Sequence, residues 1–427
     1  MRKIQASRSY HDQNIKLLII GLSQAAIPKF NSLTQTFTPG SLNFPSSSVM
    51  SHKVMHVISG LGRGGAEATL FRLLSNWTDS SITHYLVSLT DNNIYDFSFL
   101  GNRFKVFDLH SPIRAIPNLI KLHLYIFSIR PSLINTWMYH PCLLALSSSL
   151  LRVPTVWSIH HSLHYFSRET IILRLVIYSC RFLAALGSVR RIVYVSDTSR
   201  LQHERFGFPK KKSALIPNGF DSTIFKPRYT QPNILPLPLK NSRSIVFGSF
   251  ARYHPIKNHI LLFECISRLL RDHHDVFLVL AGEGMTPHNS VLVSDLRHYS
   301  IADVTVLLGP RSDVELIYPC LDIYMQTSDS EAFPNTLCEA MLCEVVCIAT
   351  DVGDSSVIIH DFGLVVPPGD SEALYKAASR LVSTNRSELS IIGRESRRFI
   401  DSRFSIRIML EAYQKLYHDS FLHTFVL

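Results

Sequence analysis

Short apolar runs of strand length, each followed by a loop and then by a helix-like stretch, recur from Lys53 to Val366. This alternation constrains the fold more than any other feature, because parallel strands must be joined by long crossovers, usually helices. A chain that keeps supplying such crossovers is building a doubly wound α/β sheet. The clearest unit runs from Leu321–Gln326, through Thr327-Ser328-Asp329-Ser330-Glu331-Ala332-Phe333, into Leu337, Ala340 and Met341 at helical spacing. Strand candidates ahead of it are Lys53–Ile58, Tyr85–Leu89, Phe104–Leu109, Leu133–Thr136, Thr155–Ile159, Ile192–Val195 and Ala214–Ile216. A second set comprises the run from Ile245, then Val276–Ala281, Val304–Leu308 and Val345–Thr350. Between the sets lies Lys226–Lys240, with Pro227, Pro232, Pro236 and Pro238 and little periodicity, which predicts a linker. The expected organisation is therefore a domain over 51–225, a linker over 226–240, a second domain over 241–405 and a terminal helix over 406–427.

Residues 1–50 stand apart. Lys16–Leu22 is apolar but short, no small-residue cleavage site follows it, and the rest is rich in Ser, Thr, Asn and Pro. This stretch is expected to be a poorly ordered extension, or the product of an upstream start codon chosen in error, with Met50 and Met55 at the first convincing strand. At 427 residues, 46% hydrophobic and 18% charged, the chain suits two globular domains and excludes a disordered one. The net charge of +10 favours an anionic partner, whether a nucleic acid, a membrane surface or a phosphorylated substrate. No nucleic-acid motif accompanies it, so nucleic acid is not an expected partner. The seven cysteines form no C-x-x-C pair, and most read as buried free thiols of a reducing compartment. No uncharged apolar run reaches the roughly 18 residues needed to span a bilayer. Ile171–Leu186, carrying Arg174 and Arg181, and Cys142–Leu151 read as helices packed on the sheet, or as a basic, apolar face resting on a membrane.

Several residues carry chemistry. Pro334 suits the start of the helix after Glu331, and Glu339 falls about one turn in. A helix start presents free N–H groups and a positive dipole end to phosphate. Carboxylates beside it accept hydrogen bonds from sugar hydroxyls, so Glu331 and Glu339 together suit a sugar nucleotide. Taken singly, each is as easily a dipole-favoured or solvated helix Glu. Ser59–Glu67 joins a strand to a helix through a Gly-rich turn in which Gly64 and Gly65 allow close backbone approach to a ligand. It is neither a P-loop nor a dinucleotide fingerprint. Arg252 and Lys257, at a strand end before a helix, are natural diphosphate clamps. His160 and His161 end the Thr155–Ile159 strand on its carboxyl side, where open α/β sheets bind ligands.

Glu331–Met341 resembles the E-x7-E signature of the group 1 (family 4) retaining glycosyltransferases. Arg252 and Lys257 match the family's R-x4-K motif, and Gly64-Gly65-Ala66-Glu67 its N-terminal loop. Further matches are Pro217-Asn218-Gly219-Phe220-Asp221, Phe225-Lys226-Pro227, Ala281-Gly282-Glu283-Gly284 and the Gly309-Pro310 loop, which sits near the base in relatives. The resemblance covers roughly residues 53 to 415 and implies the GT-B fold, two Rossmann-like domains facing each other across a cleft. It also implies transfer of a hexose or N-acetylhexosamine, with retained configuration, from a nucleotide diphosphate sugar. The expected donor is a UDP-sugar, and the expected acceptor a glycan or lipid-linked hydroxyl of cell-surface polysaccharide or lipopolysaccharide synthesis. No cofactor and no metal are expected, and the implied location is the cytoplasm, peripheral on the inner membrane. By the same resemblance Glu331 and His160 face the donor sugar, Glu339 binds ribose, and Arg252 and Lys257 bind the diphosphate. His160 is preferred to His161 for that place. Pro334, Asn335, Thr336, Gly282 and Gly309 complete the donor site, and Gly64 and Gly65 face the diphosphate and acceptor. The chain departs from the pattern at Ala332, where relatives have Gly, and at Asp354-Ser355-Ser356-Val357, where they often have a second Gly and Pro-Glu. The rival readings are an epimerase or phosphorylase of the same fold, an inactive scaffold subunit, and a nicotinamide oxidoreductase lacking its fingerprint.

Overall fold

The computed structural model describes residues 51–110, 112–227, 235 and 244–422. The N-terminal extension 1–50, most of the expected linker and the last five residues lie outside them. Seven parallel strands form the first sheet: β1 (His52–Ile58), β2 (Ile82–Ser88), β3 (Phe104–Val106), β4 (Leu133–Trp137), β5 (Thr155–Ile159), β6 (Val189–Tyr194) and β7 (Ser213–Leu215). Their spatial order is β3-β2-β1-β4-β5-β6-β7. Six form the second: β8 (Ile245–Phe250), β9 (Val276–Ala281), β10 (Thr305–Leu307), β11 (Ile323–Gln326), β12 (Val346–Thr350) and β13 (Gly363–Val366), ordered β10-β9-β8-β11-β12-β13. Each order reverses direction once, between β1 and β4 and between β8 and β11, the doubly wound pattern. The fold is GT-B.

Central strands such as β4, β5, β8 and β9 are buried at every position, because helices cover both faces. That burial is why they read as unbroken apolar runs. β6 begins three residues before the expected Ile192, since Arg190 and Arg191 interrupt the apolar signal while keeping strand geometry. The expected Phe104–Leu109 strand ends at Val106, as befits the sheet edge.

After the Arg386–Phe404 helix the chain turns at Ser405 into the Ile406–Leu422 helix, which packs on the first sheet. Its Met409, Tyr413, Tyr417 and Phe421 share one core with Val54, Leu70 and Trp137. The turn is pinned by Phe220, whose N–H donates to Phe404 O at 2.8 Å and whose carbonyl accepts from Ile406 N–H at 2.7 Å. Gly219 is required beside it: a Cβ there would sit 2.7 Å from Met409 Cβ and 2.9 Å from Ile406 Cα.

The first half also buries an unusual number of histidines. The Trp137 indole N–H donates to His56 Nδ1 at 3.1 Å, and His56 Nε2 meets His84 Nδ1 at 2.9 Å. His203 bonds the Tyr139 hydroxyl at 2.6 Å and the Ser199 carbonyl at 2.7 Å. Burial pushes His84 and His203 down to about 3, and His56 also well below the ordinary 6.5. The unfolded chain therefore binds protons that the folded one refuses, and stability falls as pH drops below about 6.5 toward 3. Each such histidine withdraws about 1.4 kcal/mol per pH unit in that window. Urea denaturation midpoints are expected to fall steeply between pH 6.5 and pH 4.5; a flat profile contradicts this.

Candidate active site in the interdomain cleft

The two sheets point their carboxyl ends at a cleft of about 700 Å³. Glu331 lies on the loop after β11, and Arg252 lies two residues past β8, so both stand where the strand order reverses. Across the cleft are Gly64 and Gly65, beyond β1, and His160, at the end of β5.

The loops after β8 and β11 are stitched together. Asn258 Nδ2 donates to Asp329 Oδ1 at 2.8 Å, Asp329 N–H donates to Ile256 O at 2.8 Å, and Thr327 Oγ1 donates to Lys257 O at 3.1 Å. This stitching brings Lys257 Nζ within 2.5 Å of Glu331 Oε1. Lys257 and Glu331, expected to grip different parts of a donor, grip each other. Ser328 Oγ and Gln326 Nε2 donate to the same oxygen at 2.6 and 3.4 Å. Among the described residues Oε2 accepts no hydrogen bond, and Glu331 lines the cleft, so that oxygen is available to a ligand there. Arg252 is exposed and makes no hydrogen bond or ion pair among the described residues.

Pro334 is the cap residue rather than the first helical residue, and the helix runs Asn335–Leu342 without a side-chain cap. Its start, Pro334, Asn335 and Thr336, lines the cleft, so its free N–H groups open onto the ligand space. Asn335 Oδ1 accepts from Asn218 Nδ2 of the first half at 2.7 Å. A Cβ on Gly65 would come within 3.3 Å of Asn335 Nδ2, so a side chain there would narrow the cleft. Gly282 also lines it, with φ +140°, and a Cβ there would collide with the Ala251 carbonyl beside Arg252. Gly309, expected at the donor site, does not line the cleft. Its carbonyl accepts from Gly282 N–H and its N–H donates to Met285 O, both at 2.8 Å, so it props Gly282 from behind.

His160 stacks on Trp137 with ring centroids 5.2 Å apart, and both its ring nitrogens are shielded yet unpartnered among the described residues. Burial, helped by nearby Arg72, pushes its pKa down to about 3, so it is neutral near pH 7. A neutral imidazole with two free nitrogens can donate one hydrogen bond and accept another. His161 points at Glu169 instead, Nε2 to Oε1 at 3.1 Å.

A family model described as "Glycosyltransferase Family 4" matches residues 63–223, and one described as "Glycosyl transferases group 1" matches 243–384. The chain belongs to the group 1 glycosyltransferases. EpsF of Bacillus subtilis (strain 168), which carries a glycosyltransferase designation, is 24% identical over 321 residues, 70% of this chain and 79% of that protein. The lipopolysaccharide core biosynthesis mannosyltransferase LpcC of Rhizobium leguminosarum bv. viciae is 26% identical over 201 residues, 46% of this chain and 56% of LpcC. Among solved structures, Anabaena Alr3699/HepE in complex with UDP and glucose superposes with a TM-score of 0.74 at 19% identity, covering 86% of this chain and 100% of HepE.

Residues of this glycosyltransferase that its motifs do not announce also join the two halves at the cleft. Arg72, on the helix after the glycine turn, reaches Glu339 Oε1 at 3.6 Å, donates to Gly219 O at 2.8 Å and lies 4.6 Å from the Phe220 ring centroid. Glu339 is thereby held between Arg72 of one half and the Tyr318 hydroxyl of the other, which donates to Oε2 at 3.1 Å. Burial raises the Glu339 carboxyl, and Arg72 and Tyr318 oppose that rise. Arg63 bridges the halves by donating to Arg311 O at 2.9 Å. The available signal was spacing: Ala68 and Arg72, both lining the cleft, lie four apart on the face that follows Gly64.

Proposed function

We propose that this glycosyltransferase moves a hexose or N-acetylhexosamine from a UDP-sugar to a hydroxyl acceptor with retained anomeric configuration. The observation that carries the reading is the convergence of Arg252, the Lys257–Glu331 pair and an uncapped helix start on one cleft, opposite a neutral, unpartnered His160. Breakage of the bond between the anomeric carbon and phosphate leaves negative charge on the departing diphosphate. Arg252, Lys257 and the N–H groups at Asn335 and Thr336 stabilise it in a preorganised way. Glu331 and His160 hold the sugar hydroxyls, and Glu339 takes the ribose. The acceptor oxygen bonds to the anomeric carbon from the face the phosphate leaves, and its proton passes to the departing phosphate oxygen. No resident metal and no cofactor take part in this reading.

A panel of UDP-, GDP- and ADP-sugars, each with and without chelator, tests it. Acceptor-dependent release of UDP that chelator does not inhibit is the expected result; release of another nucleotide, or none with any sugar, overturns it.

The acceptor we propose is a lipid-linked glycan of cell-surface polysaccharide or lipopolysaccharide synthesis, met at the cytoplasmic face of the inner membrane. No helix among the described residues is long and apolar enough to cross a membrane. The Ile171–Leu183 helix nevertheless exposes Ile171, Ile172, Leu175 and Phe182 at 61–70%, on the side opposite its buried Ile177 and Cys180. The Pro112–Ile129 helix exposes Ile116, Ile120, Leu124 and Phe127 at 57–71%. The β3-to-β4 and β5-to-β6 crossovers run the same way across the sheet, so right-handed connections place both helices on one face. Helices apolar on both sides, with Arg174, Arg181 and Lys121 among them, suit an anionic bilayer surface. Co-sedimentation with vesicles containing anionic lipid is expected, and Ile172→Asp with Leu175→Asp is expected to abolish it. Equal recovery of wild type and variant would exclude the contact.

A further inference from the structure

Asp354 follows Gly353 on the loop after β12, and its side chain does something unusual. It precedes the short Ser355–Ile359 helix, where an Asp would ordinarily cap its own N–H groups, yet it makes no such bond. Its carboxylate instead crosses to the other half of the molecule. Oδ2 accepts from Asp197 N–H at 2.9 Å and Oδ1 from Thr198 N–H at 3.1 Å, at the start of the Asp197–Phe206 helix. Ser196, that helix's own cap, takes only the Ser199 N–H, at 3.1 Å. Thr198 Oγ1 adds a bond to Gly353 O at 2.9 Å. Asp354 is only 6% exposed, so with the halves docked its carboxylate is held out of water and depends on these two N–H groups for its hydrogen bonds.

The loop that carries Asp354 also backs Glu331. A Cβ on Gly353 would lie 2.7 Å from Glu331 O and 2.5 Å from Ala332 O. Ser355 Oγ shares its one proton between Val352 O at 2.7 Å and Gln326 Oε1 at 3.2 Å, and the amide so placed donates from Nε2 to Glu331 Oε1 at 3.4 Å. Thr350 Oγ1 donates to the carbonyl of Ser328, whose hydroxyl holds the same carboxylate.

We propose that Asp354 is a positioning residue that couples docking of the first half to the orientation of Glu331, through Ser355 and Gln326. Glu331 is then set for the sugar only when the Asp197–Phe206 helix is seated on Asp354. The inference rests on the donor-sugar role of Glu331 proposed above. Asn at 354 offers one acceptor for two N–H groups, so it is an intermediate; Ala offers none.

The test compares wild type, Asp354→Asn, Asp354→Ala, Thr198→Val and Glu331→Gln, with spin labels at exposed Lys121 and Glu388 reporting the distance between the halves. UDP binding is measured by calorimetry, and turnover with UDP-glucose as probe donor. Asp354→Ala is expected to lengthen and broaden the distance distribution and to lower turnover by roughly 10- to 100-fold, with Asp354→Asn between it and wild type. UDP affinity is expected to stay within about threefold, since Arg252 and the helix start are untouched. Wild-type distances in Asp354→Ala, or wild-type turnover with lengthened distances, overturn the coupling. Should Asp354→Ala fail to fold, Thr198→Val decides by the same readouts. Unchanged turnover in Glu331→Gln sinks the reading of Glu331 itself, whereas its loss alongside normal Asp354 variants sinks only the coupling.

Discussion

Glu331→Gln is expected to lower sugar transfer by about 100- to 1000-fold while leaving UDP affinity within a few-fold. The amide keeps the shape of the side chain. Its oxygen would replace Oε1 opposite Lys257, Ser328 and Gln326, because an amide N–H there would face three donors. The NH2 group would then replace Oε2 on the cleft side. A sugar hydroxyl that had donated to a carboxylate would meet a donor, and the Lys257 charge would lose its counter-ion. Diphosphate contacts at Arg252 and at the Asn335 helix start are unaffected, so binding of free UDP separates loss of chemistry from loss of fold. Turnover within a few-fold of wild type would remove Glu331 from the mechanism.

Arg252→Ala and Lys257→Ala are expected to fail in different ways. Arg252 has no protein partner among the described residues, so its removal leaves nothing unpaired and deletes one charge-assisted grip on the diphosphate. Such a bond is worth about 1.5–3 kcal/mol, or about 10- to 100-fold in UDP affinity. Lys257→Ala also strands the Glu331 carboxylate, which then repels the diphosphate. The Lys257 variant should therefore lose more of both UDP affinity and turnover than the Arg252 variant. Calorimetry with UDP beside steady-state kinetics resolves the two, and equal profiles would show that the ion pair is incidental.

The fold was legible because buried parallel strands must be apolar throughout and helices must intervene, so β5 and β9 match their expected limits residue for residue. Loop positions carrying Glu331, Arg252 and His160 were legible for a related reason, since doubly wound sheets place ligands beyond the carboxyl ends of their strands. Pairings across the cleft were not. Arg72 lies 267 positions before Glu339 and Asp354 lies 157 after Asp197, and no local pattern records which helix faces which. Nor does spacing tell a lysine aimed at phosphate from one already bound to Glu331 at 2.5 Å. Gly309 was not readable from spacing, because a turn glycine serves a ligand or a neighbouring backbone equally well; its own hydrogen bonds go to Gly282 and Met285.

The path of the chain through the Phe220–Ser405 junction bears on how this enzyme can be taken apart. A fragment ending in the linker would keep the first sheet but lose Met409, Tyr413, Tyr417 and Phe421, and with them one wall of its core. The complementary piece would carry the same aromatic stripe with nothing to bury it. Chimeras that exchange the first half between relatives must therefore graft two separate segments, residues up to the linker and the Ile406–Leu422 helix, as one unit.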